Sequence, residues 1–371
     1  PRYYDRCTLT SSITPRRGRW MIRYLLMPAL LLLQSEPPSE AERFSPEQGA
    51  KWENRFLSNV RQITFDGKCG EGYFSPDEQQ IIFQSIRGGF PFYQIYHKDL
   101  ATDTEKRVST GHGRTTCAFF HPFKPKLIYA SSHLDAERDT VLQQELQRLA
   151  DTKKNPGRRS YTWSFDPYMD IFEADLDGSN LKRLTSAHGY DAECAFSPDG
   201  RRIAFCSFRT GEGDIYVMDA DGSAVHRITD EPGYEGGPFF SPDGKRIIYR
   251  GEVPGKPDLL QLFVIDADGT GQRQLTNNHA VNFGPYWHPD GEHVIYATSL
   301  HGHRNYELHL LNIATGQDQR VTYTPGADVL PVFSPSGKKL MWTSRRGQGG
   351  DRSANSQLFL ADWVHPTASN P

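Results

Sequence analysis

One short motif recurs six times along the chain and constrains the fold more than any other feature. It is an aromatic residue followed by Ser-Pro-Asp-Gly or a close variant, and its aromatic residues are Phe74, Phe120, Phe196, Phe240, Trp287 and Phe333. Successive copies lie 46, 76, 44, 47 and 46 residues apart. A repeat of roughly 40–45 residues with four strand-like segments is typical of a β-propeller blade. The sequence therefore predicts an all-β propeller.

The strand and turn signals follow the same order in each repeat, and the third repeat is the clearest. Its Ser-Pro-Asp-Gly turn ends at Gly200, where Pro fixes φ, Asp bonds its own backbone and Gly accepts a positive φ. Alternating apolar residues in 202–206 and 214–219 predict two more strands, and 226–229 predict an outer strand.

The outer-strand signature, which resembles Arg-Gln-Ile-Thr, also occurs six times. Its copies are residues 61–64, 106–109, 182–185, 226–229, 273–276 and 319–322. The first copy precedes every turn motif, and the last blade has none of its own. Pairing the N-terminal strand with the last blade would hide two sheet edges. We therefore predict a six-bladed propeller over 60–364, closed by residues 61–65.

The first sixty residues lie outside the repeat. Residues 25–33 form a short apolar run after a positive charge, which suits a secretory leader better than a membrane span of about twenty residues. We predict a leader or anchor segment over 1–34, a linker over 35–59 and a tail over 365–371. This places the protein in the periplasm or otherwise outside the cytoplasm, with membrane association through the apolar segment as the alternative.

Composition excludes several classes of protein. The formal net charge is −3, with 42 basic and 45 acidic residues well mixed, so no basic stripe for nucleic acid is present. The five cysteines lack CxxC spacing, which argues against a zinc site or a haem attachment. Cys117 and Cys194 precede matching positions of neighbouring blades, and either a bridge or two buried thiols is compatible with the sequence. No cofactor is predicted.

The repeats resemble those of the TolB family, whose periplasmic propeller has six blades. The resemblance rests on Phe196-Ser-Pro-Asp-Gly-Arg-Arg-Ile-Ala-Phe205 followed by Asp214-Ile-Tyr-Val-Met-Asp-Ala-Asp-Gly-Ser223. It implies a protein that binds other proteins. TolB also carries an α/β domain before its propeller, and residues 35–59 are too few to form one. Similar repeats form the propellers of prolyl oligopeptidase-like enzymes and oligogalacturonate lyases, so fold alone does not decide function.

Successive turns of an antiparallel blade alternate between two faces. The Ser-Pro-Asp-Gly and Asp-x-Asp-Gly turns share one face, here called the turn face. The loops between blades, and those between second and third strands, share the other, here called the loop face. Because its loops are irregular in sequence, we predict that the loop face binds the partner. The predicted interaction residues are His112, Arg114, His133, His188, Tyr190, Asp191, Glu193, Arg209, Glu235, Asn282, Arg304, Asp328 and Arg345.

The longest interval between motifs contains an insertion over 134–160 in the second blade. Residues 139–154 predict an amphipathic helix with Leu142, Leu146 and Leu149 on one stripe. The insertion falls between the second and third strands, on the loop face. The helix could pack on the propeller, cover the channel as a lid or dock another protein, and docking is preferred over a lid.

These features predict a non-catalytic scaffold, an accessory subunit of an envelope or membrane assembly with a protein partner. No Gly-x-Ser-x-Gly motif indicates a serine hydrolase, and no catalytic residue is assigned. The alternative is a metal-dependent lyase or hydrolase that acts on an anionic carbohydrate at the channel mouth. His301 and His303 would hold a divalent metal in that case, because alternate residues of an extended loop project the same way.

Overall fold

The computed structural model describes residues 45–154, 165–346 and 355–364. The first elements are helix α1 (Pro46–Glu53) and strand β1 (Leu57–Gln62). Ser45 caps α1: its side chain accepts the backbone N–H of Gln48, whose side chain accepts the backbone N–H of Ser45 in return. The predicted linker thus contains a helix, and β1 begins three residues before the predicted propeller boundary.

The remaining strands follow in groups of four. The first blade contains β2 (Lys68–Phe74), β3 (Gln80–Ile86), β4 (Gln94–Asp99) and β5 (Glu105–Arg107). The second contains β6 (Thr115–Phe120), β7 (Lys126–Ser131), helix α2 (Arg138–Lys154), β8 (Asp170–Asp175) and β9 (Lys182–Arg183). The third contains β10 (Asp191–Phe196), β11 (Arg202–Ser207), β12 (Asp214–Asp219) and β13 (His226–Arg227).

The last three blades have the same order. The fourth contains β14 (Glu235–Phe240), β15 (Arg246–Val253), β16 (Lys256–Asp266) and β17 (Arg273–Gln274). The fifth contains β18 (Asn282–Trp287), β19 (His293–Thr298), β20 (Glu307–Asn312) and β21 (Asp318–Arg320). The sixth contains β22 (Asp328–Phe333), β23 (Lys339–Ser344) and β24 (Gln357–Trp363). Within the described ranges these form six four-stranded sheets, which confirms the predicted six-bladed propeller.

The ring closes as predicted, because β1 is the fourth strand of the sixth sheet. β1 pairs antiparallel with β24, and Leu57 lies opposite Trp363. Backbone contact continues past the strand, where the Ile63 N–H donates to the Leu358 carbonyl at 2.9 Å. This pairing covers the edges that β1 and β24 would otherwise leave open toward each other.

Hydrogen bonds explain why both motifs repeat. In the turn, the Ser197 hydroxyl donates to Asp199 at 2.6 Å and Gly200 has φ 67°. In the outer-strand signature, the final Ser or Thr hydroxyl accepts a backbone N–H from the third strand of its blade, at 2.8 to 3.0 Å. These hydroxyls belong to Thr64, Ser109, Thr185, Thr229, Thr276 and Thr322. The signature therefore fixes the short outer strand to its sheet.

Helix α2 lies between β7 and β8, so the predicted helical insertion of the second blade is confirmed, and residues 155–160 of it lie outside the described residues. None of its described side chains is buried, and Leu146 is 38% exposed. In the described parts of the chain neither helix combines the length and apolar character that a bilayer crossing requires. The predicted leader at 1–34 and tail at 365–371 lie outside those parts.

Candidate binding site at the propeller axis

The pairing of each innermost strand is interrupted at one equivalent position. The register between the first and second strands of every blade shifts there, as at a β-bulge. The residue at this position has a positive φ of 44° to 62° in all six blades, and it lies three residues before the motif aromatic. These residues are Glu71, Cys117, Glu193, Gly237, Gly284 and Leu330.

Glycine occupies this left-handed position in the fourth and fifth blades, and the other four blades have a residue with a side chain there. A left-handed conformation costs an L-residue about 1–2 kcal/mol relative to its usual regions. The side chains that adopt this conformation despite its cost include those of Glu71, Cys117 and Glu193, which makes them candidates for a function at the axis.

In four of the six blades, the residue two positions beyond the bulge is aromatic, and these aromatic side chains meet at the axis. The ring centroids of Tyr73 and Phe239 are 5.8 Å apart, although these residues belong to the first and fourth blades, which are opposite in a ring of six. Phe119 and Tyr286 complete the cluster, at 5.0 Å from Tyr73 and from Phe239 respectively. Because innermost strands run from the loop face to the turn face, this cluster lies on the turn side of the bulges.

The bulge residues and these aromatic rings define a recess that we call the axial cup. Its floor is the aromatic cluster, and its wall carries the six bulge residues. The half of the wall from the first to the third blade is polar, with Glu71, Cys117 and Glu193. The fifth and sixth blades add no polar bulge side chain to the wall, because they place Gly284 and Leu330 there. In the fourth blade Gly237 lacks a side chain, and the Arg250 guanidinium lies beside it. Of the bulge residues with side chains, Glu71 and Leu330 are half-buried, so solvent reaches the axis beside them.

Glu193 is the best-connected group of the cup. Its carboxylate accepts Arg250 at 2.9 Å, the Tyr234 hydroxyl at 2.9 Å and the Tyr190 hydroxyl at 3.2 Å. Arg250 also donates to the Tyr234 oxygen at 2.6 Å. The charge of Glu193 is thus neutralised and hydrogen-bonded inside the protein, as a buried carboxylate requires.

Two glycines of the fourth blade make room for this network. A Cβ atom at Gly236 would lie 2.1 Å from the Tyr234 hydroxyl oxygen, and one at Gly237 would lie 2.3 Å from an Arg250 nitrogen. The space that side chains would fill is therefore occupied by Tyr234 and Arg250, which reach across to Glu193.

Glu71 has a different environment from Glu193. It accepts the Tyr73 hydroxyl at 3.1 Å and bonds the Cys117 thiol. Burial raises the pKa of Glu71, and the charge of Glu193 raises it further. Burial also raises the pKa of the Cys117 thiol well above its usual value, so the thiol is protonated and unreactive at neutral pH.

Comparison with known proteins agrees with this architecture. The family model for the TolB β-propeller domain matches residues 160–255 and 261–363, more than half of the chain. The chain belongs to this family. A TolB homologue of Chlorobium luteolum is 29% identical over 141 residues, which are 35% of this chain and 32% of that protein. The chain aligns with 13% and 32% of the lengths of two curated TolB homologues that it matches.

Solved structures share the fold at low sequence identity. A protein of Agrobacterium tumefaciens assigned provisionally to TolB superposes with a TM-score of 0.56 and 17% identity, over 82% of this chain and 96% of that one. An oligogalacturonate lyase in complex with manganese gives 0.51 and 19%, over 82% and 80%. At such identities these likenesses show the fold alone.

The predicted interaction residues of this TolB-family propeller differ widely in exposure. The exposed ones are His112, His188, Arg304 and Arg345. The half-buried ones are Arg114, His133 and Arg209. The buried ones are Tyr190, Asp191, Glu193, Glu235, Asn282 and Asp328. Of the thirteen, Tyr190 and Glu193 contribute to the axial cup and its network.

Several buried residues of this set hold their own blades together. Asp191 accepts the Ser207 hydroxyl and Arg209, the latter at 3.0 Å. Asp328 accepts the Trp342 indole N–H at 3.1 Å and also binds Arg346. These carboxylates lie at the loop-face ends of innermost strands, and they tie each first strand to the second.

The two predicted metal ligands have different surroundings. The His301 ring stacks on His309, with 3.0 Å between their Nε2 atoms, and His303 is exposed. Among the described residues, no three His, Cys, Asp or Glu side chains form a group that could hold a metal ion. The four described cysteines are buried free thiols: Cys69, Cys117, Cys194 and Cys206. In the structure Cys117 and Cys194 are therefore two buried thiols and not a disulfide bridge.

Sequence reasoning did not select Glu71, Cys117, Tyr234 and Arg250 as site residues. A signal for the first two exists, because each stands three residues before a motif aromatic at a position where two other repeats have glycine. Tyr234 and Arg250 give no such signal, because their contacts with Glu193 join different blades.

Proposed function

We propose that this chain is an exported propeller that binds a protein partner on its loop face, as an accessory subunit of an envelope or membrane assembly. Membership in the TolB β-propeller family supports a role in protein interaction. The observation that carries the proposal is the axial cup, which places Glu71, Cys117 and Glu193 at the axis in a left-handed backbone conformation. A propeller scaffold alone would be satisfied by glycine at all six bulges.

The exposed loop residues extend the proposed surface beyond the cup. His188 and Tyr168 are exposed and lie in edge-to-face contact at 6.1 Å between centroids, and Leu300 is 46% exposed. Aromatic and apolar groups surrounded by charged side chains such as Arg304 are typical of a protein-binding surface. Helix α2, which emerges on the same face with no buried side chain, is a further proposed contact.

Photo-crosslinking from the two faces tests this proposal. A photoreactive residue replaces Arg304 or Arg345 on the loop face, and Asp221 or Asp268, which are equally exposed, on the turn face. We expect one discrete adduct with a cell-envelope protein from the loop-face positions in the full chain expressed in its native host. Adducts from the turn-face positions alone would contradict the proposal.

A further inference from the structure

We infer that the axial cup takes a basic side chain, of lysine or arginine, presented by the partner, and that Glu71 accepts its charge. This inference rests on the proposed function and names the chemistry recognised at its centre. It follows from the charges of the cup, the apolar side chains of its fifth and sixth blades and the exposure of Glu71.

The two carboxylates of the cup are unequally neutralised. Glu193 has a cation within 2.9 Å and two tyrosine hydroxyls. Glu71 has only the Tyr73 hydroxyl and the Cys117 thiol as side-chain donors within the described residues. Arg250, the described cation that lowers the pKa of Glu71, is already bound to Glu193. A cation brought by a ligand would stabilise the ionised form of Glu71, which burial and the charge of Glu193 disfavour.

Exposure makes Glu71 the available carboxylate. The Glu193 side chain is 4% exposed, whereas Glu71 is half-buried and faces the axis. Phe283, Val329 and Leu330 on the fifth and sixth blades are also half-buried. Lysine and arginine each have an apolar stem and a charged head. The stem would pack on these apolar side chains, and the head would bind the Glu71 carboxylate.

Cations at the rim of the cup allow the direction of a change in binding affinity to be predicted. Lys68 begins β2, the strand that carries Glu71, and Arg345 lies near it. Burial and the charge of Arg345 lower the pKa of Lys68. A ligand cation would be repelled by Lys68 and attracted by Glu71. Removing Lys68 should therefore strengthen binding of a basic ligand, and removing Glu71 should weaken it.

One substitution in the cup, Glu71→Gly, is expected to keep the fold. Glycine occupies the position of Glu71 in the fourth and fifth blades, so Glu71→Gly removes the carboxylate and relieves a left-handed side chain. Glu78 supplies the matched control: it also has a positive φ, of 59°, but it lies in a turn on the opposite face. Glu78→Gly makes the same chemical change outside the cup.

Calorimetric titration of the full chain tests the inference. The probes are acetyl-Gly-Arg-Gly-amide and acetyl-Gly-Lys-Gly-amide, with acetyl-Gly-Glu-Gly-amide as the acidic control. We expect the basic peptides to bind and the acidic one not to bind. Glu71→Gly and the isosteric Glu71→Gln should each weaken binding roughly 10- to 100-fold, as expected for a hydrogen bond between charged groups. Lys68→Gln should tighten binding, and Glu78→Gly should leave it unchanged.

Two results separate this inference from the proposed function. Crosslinks from Arg304 that form equally in wild type and Glu71→Gly, or equal affinity of the peptides for both proteins, would overturn the inference and leave the proposed function intact. Absence of loop-face crosslinks in wild type would overturn the proposed function, and the inference with it. Loss of both peptide binding and crosslinking in Glu71→Gly, with Glu78→Gly unaffected, supports both.

Discussion

Glu235 should make the stability of this propeller depend on pH near neutrality. It begins β14 in the position that Asp191 has in β10, but its partners differ. Asp191 pairs with Ser207 and Arg209, whereas Glu235 lies opposite Gly251. The Glu235 side chain is 5% exposed, and its Oε2 atom is without a hydrogen-bond partner in the described structure. Burial raises its pKa from 4.5 to about 7.

The sign and size of the effect follow from linkage. Because the pKa is higher in the folded state, the folded protein binds the proton more tightly, and this stabilisation is present below pH 4.5 and is lost as pH rises through 7. Each pKa unit corresponds to about 1.4 kcal/mol, so the difference amounts to roughly 2 to 3 kcal/mol between pH 5 and pH 8.5. Glu235→Gln should remove that portion of the pH dependence.

Urea unfolding followed by tryptophan fluorescence measures this at both pH values. We expect Glu235→Gln to be close to wild type at pH 5 and more stable at pH 8.5. If wild type and Glu235→Gln lose stability in parallel as pH rises, the carboxyl is ionised in the fold and the reasoning is wrong.

Three further predictions concern packing. Arg346→Met strands the buried carboxylates of Glu53 and Asp328 and should reduce the free energy of unfolding by about 3–5 kcal/mol, measured by urea titration; a loss below 1 kcal/mol would contradict it. Gly236→Ala should displace Tyr234 and cost about 1–3 kcal/mol by thermal or urea unfolding, and an unchanged stability would show that the cup can expand. The four described cysteines should react with a thiol reagent only after unfolding, and rapid labelling of the native protein would refute their burial.

The architecture could be predicted because its signals are local. The Ser-Pro-Asp-Gly turn depends on bonds within five residues, such as those of Ser197 and Asp199, and each outer strand is marked by its own Thr or Ser. Counting these signals predicted the number of blades and the closing strand. The extension of β1 to Leu57 and the helix α1 were not predicted, because both depend on packing against the sixth blade and its neighbouring loops.

The site could be predicted only in part, because the position of a residue in the sequence does not show whether its side chain is buried or exposed. Asp191, Asn282 and Asp328 were predicted to lie in loops between blades, but each is the first residue of an innermost strand and is buried. Asp191 and Asp328 bond within their own blades, whereas Asn282 bonds Gln261 of the fourth blade. Polar residues in loops and polar residues at strand ends have the same signature in sequence. Burial differs between them because strands of the same blade or of the preceding blade supply partners, and only the tertiary structure identifies those partners.

Sequence by itself determined the repeat, the blade count, the closure and the helical insertion of this protein, because each is encoded in short segments with fixed turn chemistry. Tertiary structure decided the axial cup. Glu71, Cys117 and Glu193 lie 46 and 76 residues apart and meet only because the ring brings equivalent bulges to one axis. Gly236 and Gly237 admit Arg250 to Glu193 for a steric reason that no local pattern expresses.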